Sequence, residues 1–485
     1  MSITQLNPTR VWKNFYSLTQ IPRPSKKEEK AVLFLEKFGK NLGLETIKDE
    51  LGNIIIRKPA TPGMENRKGI ILQAHIDMVP QKNSDNPHNF ETDPIIPRIV
   101  DEWVYATGTT LGADNGMGVA VAMAVMEAKD LVHGPVEMLI TIDEETGMTG
   151  ARGLKAGLLK GDILINLDSE DEGELYVGCA GGMDFTATFK YKEDKTPAGY
   201  VGMKLSITGL KGGHSGLDIF LGRGNANKSL VRILLPLIKD ANAKIAAFEG
   251  GNLRNAIPRE SFATLAVPAD KVLIAKKLVE KHFNEMLKEL AAQEPNLKVT
   301  LEECKVPSSV IEDSVALKAV LAIYACPNGM ERMSDAMAGL VETSNNLAII
   351  KAQGGMIDVN CLLRSSVDSA KEILAASVSA VFELAGAKVE LTGGYPGWKP
   401  DMNSAILTTM KGLYKKMYGA EPEVKAIHAG LECGILGGTY PKWDMISCGP
   451  TIRSPHSPDE RVNIPTVEKW WNYVVEVLKE APIKK

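Results

Sequence analysis

The sequence predicts an α/β fold, in which a mostly parallel sheet is sandwiched by helices and a second, α+β domain is inserted into the first. In the N-terminal part, short apolar runs alternate with helical stretches, as in parallel sheets covered on both faces. After Gly181-Gly182 the runs alternate between apolar and polar residues, and beyond the turn-rich Gly393–Gly397 the first pattern returns. We therefore expect a main domain built from residues 1–184 and 393–485, with residues 185–392 inserted as a lid or dimerisation domain.

The individual elements follow from apolar periodicity and from start and stop signals. The predicted strands are Ile70–Ala74, Val136–Ile142, Ile163–Leu167 and Met445–Cys448 in the main domain, and Asp184–Tyr191, Val201–Thr208 and Arg259–Val267 in the insert. The predicted helices include Gly116–Ala128, Asn227–Ala241, Ala269–Ala292 and Val467–Leu478. A capping box at Ser25-Lys-Lys-Glu28 predicts a further helix start.

Composition excludes several classes of function. The 485 residues are 44% hydrophobic and 24% charged, and the net charge of −4 provides no basic surface for nucleic acid or membranes. Met1–Phe15 has no apolar signal core, and no apolar run is long enough to span a bilayer. Six scattered cysteines without a C-x-x-C pair fit a reducing compartment. We expect a cytoplasmic protein that binds neither nucleic acid nor membranes.

Acidic and histidine residues follow the predicted strands of the main domain. The groups are His75-Ile-Asp77, Asp114 in a glycine-bracketed turn, Glu144-Glu145, Asp168 and His456. Open α/β sheets bind their ligands at the carboxyl ends of the strands. Several carboxylates buried together require a cation, and mixed imidazole and carboxylate ligands suit borderline metals. Two adjacent glutamates in an extended segment would point in different directions, so that one could bind metal while the other moves a proton.

Each of these signals has an ordinary structural alternative. An H-x-D triplet is common by chance, an aspartate before a helix is often an N-cap, and a Glu-Glu pair is usually a solvated loop. The joint arrangement, with every group placed after a predicted strand, favours a metal site.

The motifs around these residues resemble those of the co-catalytic di-zinc exopeptidases related to aminoacylase and glutamate carboxypeptidase. The resemblance extends over nearly the whole chain and includes Leu72–Lys82, Gly209–Gly216 and His428–Gly434. It implies that His75 and Asp168 hold one zinc ion, that Glu145 and His456 hold the other, that Asp114 bridges them, that Asp77 orients His75, and that Glu144 is the general base. Two such ions lower the pKa of a bridging water, and cobalt or manganese could replace zinc.

The resemblance also implies substrate-binding residues in the insert. His214 would stabilise the oxyanion, while Asn255 and Arg364 would hold the substrate backbone and its terminal carboxylate. The structural alternatives are a turn histidine and a surface arginine.

The function implied is that of a dipeptidase that prefers a C-terminal histidine. Deacylases of N-acyl amino acids and single-residue carboxypeptidases would use the same metal ligands, so these ligands cannot separate the three activities. A metal-binding protein without catalysis would be expected to lack the base, yet Glu144 is present. A homodimer is expected, and His214 could serve its own subunit or its partner.

Overall fold

The computed structural model describes residues 2–484, which form two compact units. Unit 1 extends to Gly178 and resumes over Pro400–Ala426 and from Leu431 onward, whereas unit 2 comprises Cys179–Lys399 and Ile427–Gly430. Each unit has its own large sheet.

The helices of the described chain, in order, are α1 (Thr9–Thr19), α2 (Glu29–Asn41), α3 (Ala113–Glu127), α4 (Glu144–Gly147), α5 (Thr149–Gly153), α6 (Ala226–Ala241), α7 (Val272–Leu290), α8 (Asp313–Ala325), α9 (Asp368–Leu384), α10 (Ala405–Tyr418), α11 (Glu432–Thr439) and α12 (Ile464–Lys479), with short 3-10 turns at Ile3–Gln5, Ile219–Leu221 and Ala269–Lys271.

The strands are β1 (Glu45–Lys48), β2 (Ile54–Lys58), β3 (Ile70–His75), β4 (Pro97–Val100), β5 (Trp103–Ala106), β6 (Val136–Thr141), β7 (Ile163–Asn166), β8 (Glu174–Cys179), β9 (Gly181–Lys190), β10 (Glu193–Lys195), β11 (Tyr200–Thr208), β12 (Gly213–His214), β13 (Lys244–Gly250), β14 (Ala256–Ile257), β15 (Ser261–Pro268), β16 (Lys298–Cys304), β17 (Ser309–Ile311), β18 (Gly329–Met333), β19 (Val341–Gln353), β20 (Met356–Ser365), β21 (Lys388–Tyr395), β22 (Glu423–Ile427), β23 (Asp444–Ser447), β24 (Ile452–Arg453) and β25 (Arg461–Asn463).

The main sheet of unit 1 has eight strands in the order β1-β2-β6-β3-β7-β23-β8-β22. The four central strands β6, β3, β7 and β23 run parallel. Strands β1 and β2 are antiparallel to their neighbours, and β8 is antiparallel to β23. Every residue of β3, β6 and β7 is buried, which explains their continuous apolar sequences. The predicted α/β class is confirmed, and the parallel part of the sheet is its centre.

Unit 2 is built on a nine-stranded sheet in the order β16-β11-β15-β13-β19-β20-β9-β21, with β18 paired to β19. These pairs are antiparallel. One face of the sheet forms an apolar core with the helices of the unit, in which the Phe185 and Phe382 rings lie 5.2 Å apart. The role of this unit as a lid or dimerisation domain stays a prediction.

Two local predictions are wrong. The Ser25–Glu28 capping box does not form, because α2 begins after Glu28 without a side-chain cap, and Ser25 donates a hydrogen bond to Asp77 instead (2.8 Å). Glu144 and Glu145 do not lie in an extended segment but open the short helix α4. In both places the local sequence pattern is less important than hydrogen bonds to the carboxylate of Asp77, a residue distant in sequence.

Among residues 2–484, no helix combines the length and the apolar character needed to cross a membrane.

Candidate metal centre

The four parallel strands at the centre of the unit 1 sheet carry most of the predicted metal-binding groups at their carboxyl ends. His75 is the last residue of β3, Glu144 and Glu145 follow β6, and Asp168 follows β7. His456 lies in the loop that follows β24, beyond β23. Because β6, β3, β7 and β23 are neighbours, these groups converge at one edge of the sheet.

The first group of potential ligand atoms surrounds His75. Its Nε2 atom lies 3.2 Å from Oδ1 of Asp114 and 3.3 Å from Oδ1 of Asp168. The imidazole is buried, and the two carboxylates are almost so.

The second group surrounds His456. Its Nε2 atom lies 3.2 Å from Oδ2 of Asp114 and 3.0 Å from Oε2 of Glu145. The two oxygens of the Asp114 carboxylate therefore face different histidines. This is the division into pairs, with Asp114 between them, that the resemblance implies.

The spacing of these atoms fits tetrahedral metal coordination. Two ligand atoms, each about 2.0 Å from a zinc ion, lie roughly 3.3 Å apart in a tetrahedral site. The distances around His75 and His456 are 3.0–3.3 Å. His75, Asp114 and Glu145 also offer ligand atoms close enough together to hold one ion. The donor set therefore fits a divalent cation.

The pKa values show that this edge of the sheet stabilises positive charge. Hydrogen bonds to Asp114 and Glu145 raise the pKa of His456 to about 11, against the opposing effect of burial. Burial lowers the pKa of His75, but Asp168 and the other neighbouring carboxylates outweigh it and raise that pKa well above its usual value. Burial raises the pKa of Asp168 to about 6. A metal ion bound among these side chains would supply positive charge at the same place.

Asp77 connects His75 to the two glutamates. One carboxylate oxygen lies 3.3 Å from Nδ1 of His75 and accepts a hydrogen bond from the backbone N–H of Glu144 (3.0 Å), and the other accepts from the N–H of Glu145 (3.2 Å) and the hydroxyl of Ser25. Burial opposes ionisation, but these contacts hold the pKa of Asp77 at about 2. An ionised Asp77 would fix the ring of a metal-binding histidine.

Glu144 lies beside the ligand groups without belonging to either. Burial raises its pKa well above the usual range, and the charges of Asp168 and Glu432 add to this effect. A raised pKa makes the carboxylate a stronger base, which suits a group that receives and returns a proton.

Unit 2 brings its three predicted substrate-binding residues together. His214 in β12 pairs with Ala256 in β14, so that it lies beside Asn255. The backbone N–H of Ser215 donates to the carbonyl of Asn255 (2.8 Å), and Nε of Arg364 donates to the hydroxyl of Ser215 (3.4 Å). The tight turn before His214 requires glycine, because Gly213 has φ +143° and a Cβ atom there would lie 2.2 Å from Arg223.

The hydrogen bonds of His214 define its tautomer. Its Nδ1 atom accepts from the backbone N–H groups of Gly216 (3.1 Å) and Leu217 (3.0 Å). Burial and the nearby charge of Arg364 lower its pKa. The ring is therefore neutral at physiological pH and carries its proton on Nε2, where it can donate a hydrogen bond.

Arg364 is a buried cation, 5% exposed, on strand β20. Its guanidinium donates hydrogen bonds to two neutral groups, the hydroxyls of Ser215 and Tyr395, each at 3.4 Å. Within residues 2–484, no carboxylate forms an ion pair with it. A buried guanidinium without a negative partner favours an anionic ligand.

Sequence reasoning assigned no role to several polar residues of unit 1. Glu432, in the quoted stretch His428–Gly434, is buried and accepts hydrogen bonds from Gln73 (2.6 Å) and Thr141 (2.8 Å), and burial raises its pKa to about 8. Glu460, four residues after His456, is likewise buried. Glu432 lies inside the stretch His428–Gly434 and Glu460 lies close to His456, but only the structure gives their partners.

Residues 71–480 match the sequence profile of peptidase family M20/M25/M40. The chain is 48% identical to the cytosol non-specific dipeptidase of Escherichia coli K12, over 99% of each sequence. It is also 48% identical to the aminoacylhistidine dipeptidase of Vibrio alginolyticus, whose crystal structure superposes with a TM-score of 0.96 over 100% of this chain and 99% of that one. The structure of aminopeptidase PepT from Bacillus cereus shares the fold, with 19% identity and a TM-score of 0.58 over 98% and 99% of the two chains.

The buried histidine of unit 2 yields a pH prediction. Burial and the charge of Arg364 lower the pKa of His428 to about 3, and its Nε2 atom is bonded to the hydroxyl of Ser344 (2.7 Å). Because the unfolded chain binds this proton more tightly, the stability that neutral His428 contributes is complete above its usual pKa of 6.5 and is lost as the pH falls toward 3. In His428→Gln that loss, up to about 1.4 kcal/mol per pH unit, should be absent.

Urea unfolding of the metal-free protein between about pH 7 and about pH 5 measures this difference. Leu384→Ala, at a position that is 90% exposed and has no titratable group, should keep the wild-type pH slope. An unchanged slope in His428→Gln would contradict the prediction.

Proposed function

Because the chain belongs to peptidase family M20/M25/M40, we propose that the protein is a metal-dependent dipeptidase. The 48% identity over full length to two dipeptidases supports this reaction class. The observation that carries the proposal is the Asp114 carboxylate, whose two oxygens face His75 and His456 separately.

We assign two metal ions to the site. Zinc is the metal we propose, and cobalt or manganese could replace it. His75 and Asp168 would hold one ion, Glu145 and His456 would hold the other, and Asp114 would bind both. Mixed imidazole and carboxylate ligands support this choice of metals. When bound, the ions supply Lewis acidity, which polarises the scissile carbonyl group and lowers the pKa of a water molecule.

Glu144 is the proposed general base and acid. Its carboxylate takes a proton from the attacking water, and the same carboxyl group then gives that proton to the amine that leaves. Burial and the charges of Asp168 and Glu432 raise the pKa of Glu144, and this supports the transfer because it makes the carboxylate a stronger base. Asp77 acts on the reaction through His75 and through the backbone of Glu144 and Glu145.

Residues of unit 2 are proposed to bind the dipeptide. Nε2–H of neutral His214 would donate to the carbonyl oxygen as negative charge develops on it. Arg364 would bind the terminal carboxylate through its guanidinium, and Asn255 would hold the substrate backbone. The absence of a negative partner of Arg364 among residues 2–484 supports its role.

A preference for C-terminal histidine is the finer part of the proposal. Of the two relatives at 48% identity, one is named a non-specific dipeptidase and the other an aminoacylhistidine dipeptidase. We propose that this protein accepts several dipeptides and prefers Xaa-His. A cytoplasmic location is supported by the name of the Escherichia coli relative, and a homodimer by the family resemblance alone.

Hydrolysis of a substrate panel tests the proposal. Metal-depleted protein reloaded with zinc should release histidine from β-Ala-His and Gly-His, cleave Gly-Leu more slowly, and leave N-acetyl-histidine intact. The same protein with a chelator should be inactive in every case. Activity confined to N-acetyl-histidine would identify a deacylase instead, and equal rates on all dipeptides would remove the preference for histidine.

Replacement of the proposed base should separate catalysis from metal binding. Glu144→Gln keeps the shape of the side chain but cannot take a proton, so kcat should fall by roughly 10²–10⁴-fold while both metals stay bound. Rate assays and metal analysis of the same sample provide the two measurements. Glu102→Gln, an exposed glutamate of unit 1, is the control and should be as active as wild type. Wild-type kcat in Glu144→Gln would refute the assignment.

Replacement of Arg364 should affect recognition of the substrate carboxylate. In Arg364→Ala the KM for Gly-His should rise by roughly ten- to a hundredfold, because a charge-assisted hydrogen bond is lost. Gly-His amide lacks the carboxylate, so its kinetics should be nearly the same in wild type and variant. Arg332→Ala, at a side chain that is 54% exposed, is the control. Equal losses on the acid and the amide would show a different role.

A further inference from the structure

A buried carboxylate outside the proposed ligand set holds the loop that carries Asp114. Glu460 is 2% exposed, and its two oxygens accept hydrogen bonds from four consecutive backbone N–H groups. Oε2 accepts from Leu111 (2.7 Å) and Gly112 (2.9 Å), and Oε1 accepts from Ala113 (2.7 Å) and Asp114 (3.2 Å). Such a complete set of donors fixes both the position and the rotation of this loop.

The helix itself does not provide this support. Asp114 and Asn115 interrupt the helical geometry at the start of α3, with φ/ψ of −80°/111° at Asp114. The peptide bond between them is cis. The non-helical φ/ψ values take the backbone at Asp114 out of the regular helix, and its N–H group donates to Glu460.

Glu460 also connects two ligand segments. It lies four residues after His456, in the short loop between β24 and β25. The loop that presents His456 is thus tied by hydrogen bonds to the loop that presents Asp114. The side chain of His456 is 51% exposed, so it has little packing of its own to hold it.

Arg23 holds the same loop from the carbonyl side. Its buried guanidinium donates to the carbonyl of Gly112 (2.5 Å) and to the carbonyls of Ile76 (2.7 Å) and Asp77 (3.2 Å). The N–H of Gly112 is bonded to Glu460 and its C=O to Arg23. A Cβ atom at residue 112 would lie 2.6 Å from this guanidinium, so only glycine fits.

We propose that Glu460 is a positioning residue that holds the Asp114 carboxylate between the two metal sites and the His456 loop against it. This inference rests on the two-metal site of the proposed function. In the site that includes Glu145 two ligands would be affected, Asp114 and His456. In the other site only the shared Asp114 would be affected, and His75 and Asp168 would keep their places at the ends of buried strands. Loss of Glu460 therefore weakens the His456 site more than the His75 site.

Zinc titration of the metal-free full-length protein by calorimetry tests this proposal without substrate. Wild type should bind two ions per chain. Glu460→Gln keeps the size of the side chain, but its amide group opposes two of the four N–H donors. It should bind one ion with nearly wild-type affinity and the second about 10–100-fold more weakly. Asp459→Asn, at the exposed neighbouring position, is the control and should titrate as wild type.

Kinetics distinguish positioning from a general structural role. Glu460→Gln should lose kcat on a dipeptide at limiting zinc and recover it in excess zinc, with KM nearly constant. A merely structural glutamate would lower the midpoint of thermal unfolding and leave the zinc affinities and the zinc dependence of kcat unchanged. That result would overturn the proposal.

The other possible results of the zinc titration and of the unfolding measurements also test the proposal. If wild type does not bind two ions, the two-metal site itself fails, and this inference fails with it. If wild type binds two and Glu460→Gln binds both equally well, only the inference fails. Glu460→Asp keeps the charge but cannot reach all four donors, so it should resemble Glu460→Gln. If neither variant unfolds cooperatively, Glu460 serves the fold rather than the metal site, and the proposal is wrong.

Discussion

The electrostatic cost of placing several carboxylates at one edge of a buried sheet governs the structure of unit 1. Like charges at this distance raise one another's pKa unless positive charge or hydrogen-bond donors compensate them. Asp77 is compensated by the protein itself, through two backbone N–H groups and the hydroxyl of Ser25. The carboxylates of Asp114 and Asp168 instead contact the imidazoles of His75 and, for Asp114, His456. The two divalent ions proposed for this site would supply the remaining positive charge.

That requirement explains why the proposed metal-binding residues come both from the ends of rigid strands and from short loops. A buried parallel strand fixes the position of the residue at its end, which suits His75 and Asp168. Asp114 and His456 come from loops and need hydrogen bonds from elsewhere in the chain. Glu460 provides them by accepting four backbone N–H groups, at the cost of burying one more carboxylate, and burial raises the pKa of that carboxylate to about 7.

The features that depend on periodicity could be predicted from the sequence, and those that depend on distant partners could not. Apolar runs predicted the strands β3, β6, β7 and β23. The rule that ligands bind at the carboxyl ends of parallel strands predicted that His75 and Asp168 lie at one edge of the sheet. The capping box at Ser25 failed because its hydroxyl found Asp77, more than fifty residues away. Glu460 lies only four residues after His456, but nothing in the sequence indicates that its carboxylate would accept hydrogen bonds from the loop before Asp114.

The metal ligands proposed here would serve dipeptidases, deacylases and carboxypeptidases alike, so a substrate preference has to come from other residues. The groups available for discrimination in unit 2 are of a different kind. His214 is held neutral with its proton on Nε2, and His428 is buried and neutral beside the charge of Arg364. A C-terminal histidine carries a carboxylate, which Arg364 would bind, and an imidazole, which can exchange hydrogen bonds with neutral groups. The proposed preference for Xaa-His would rest on this combination of one charged and one neutral interaction.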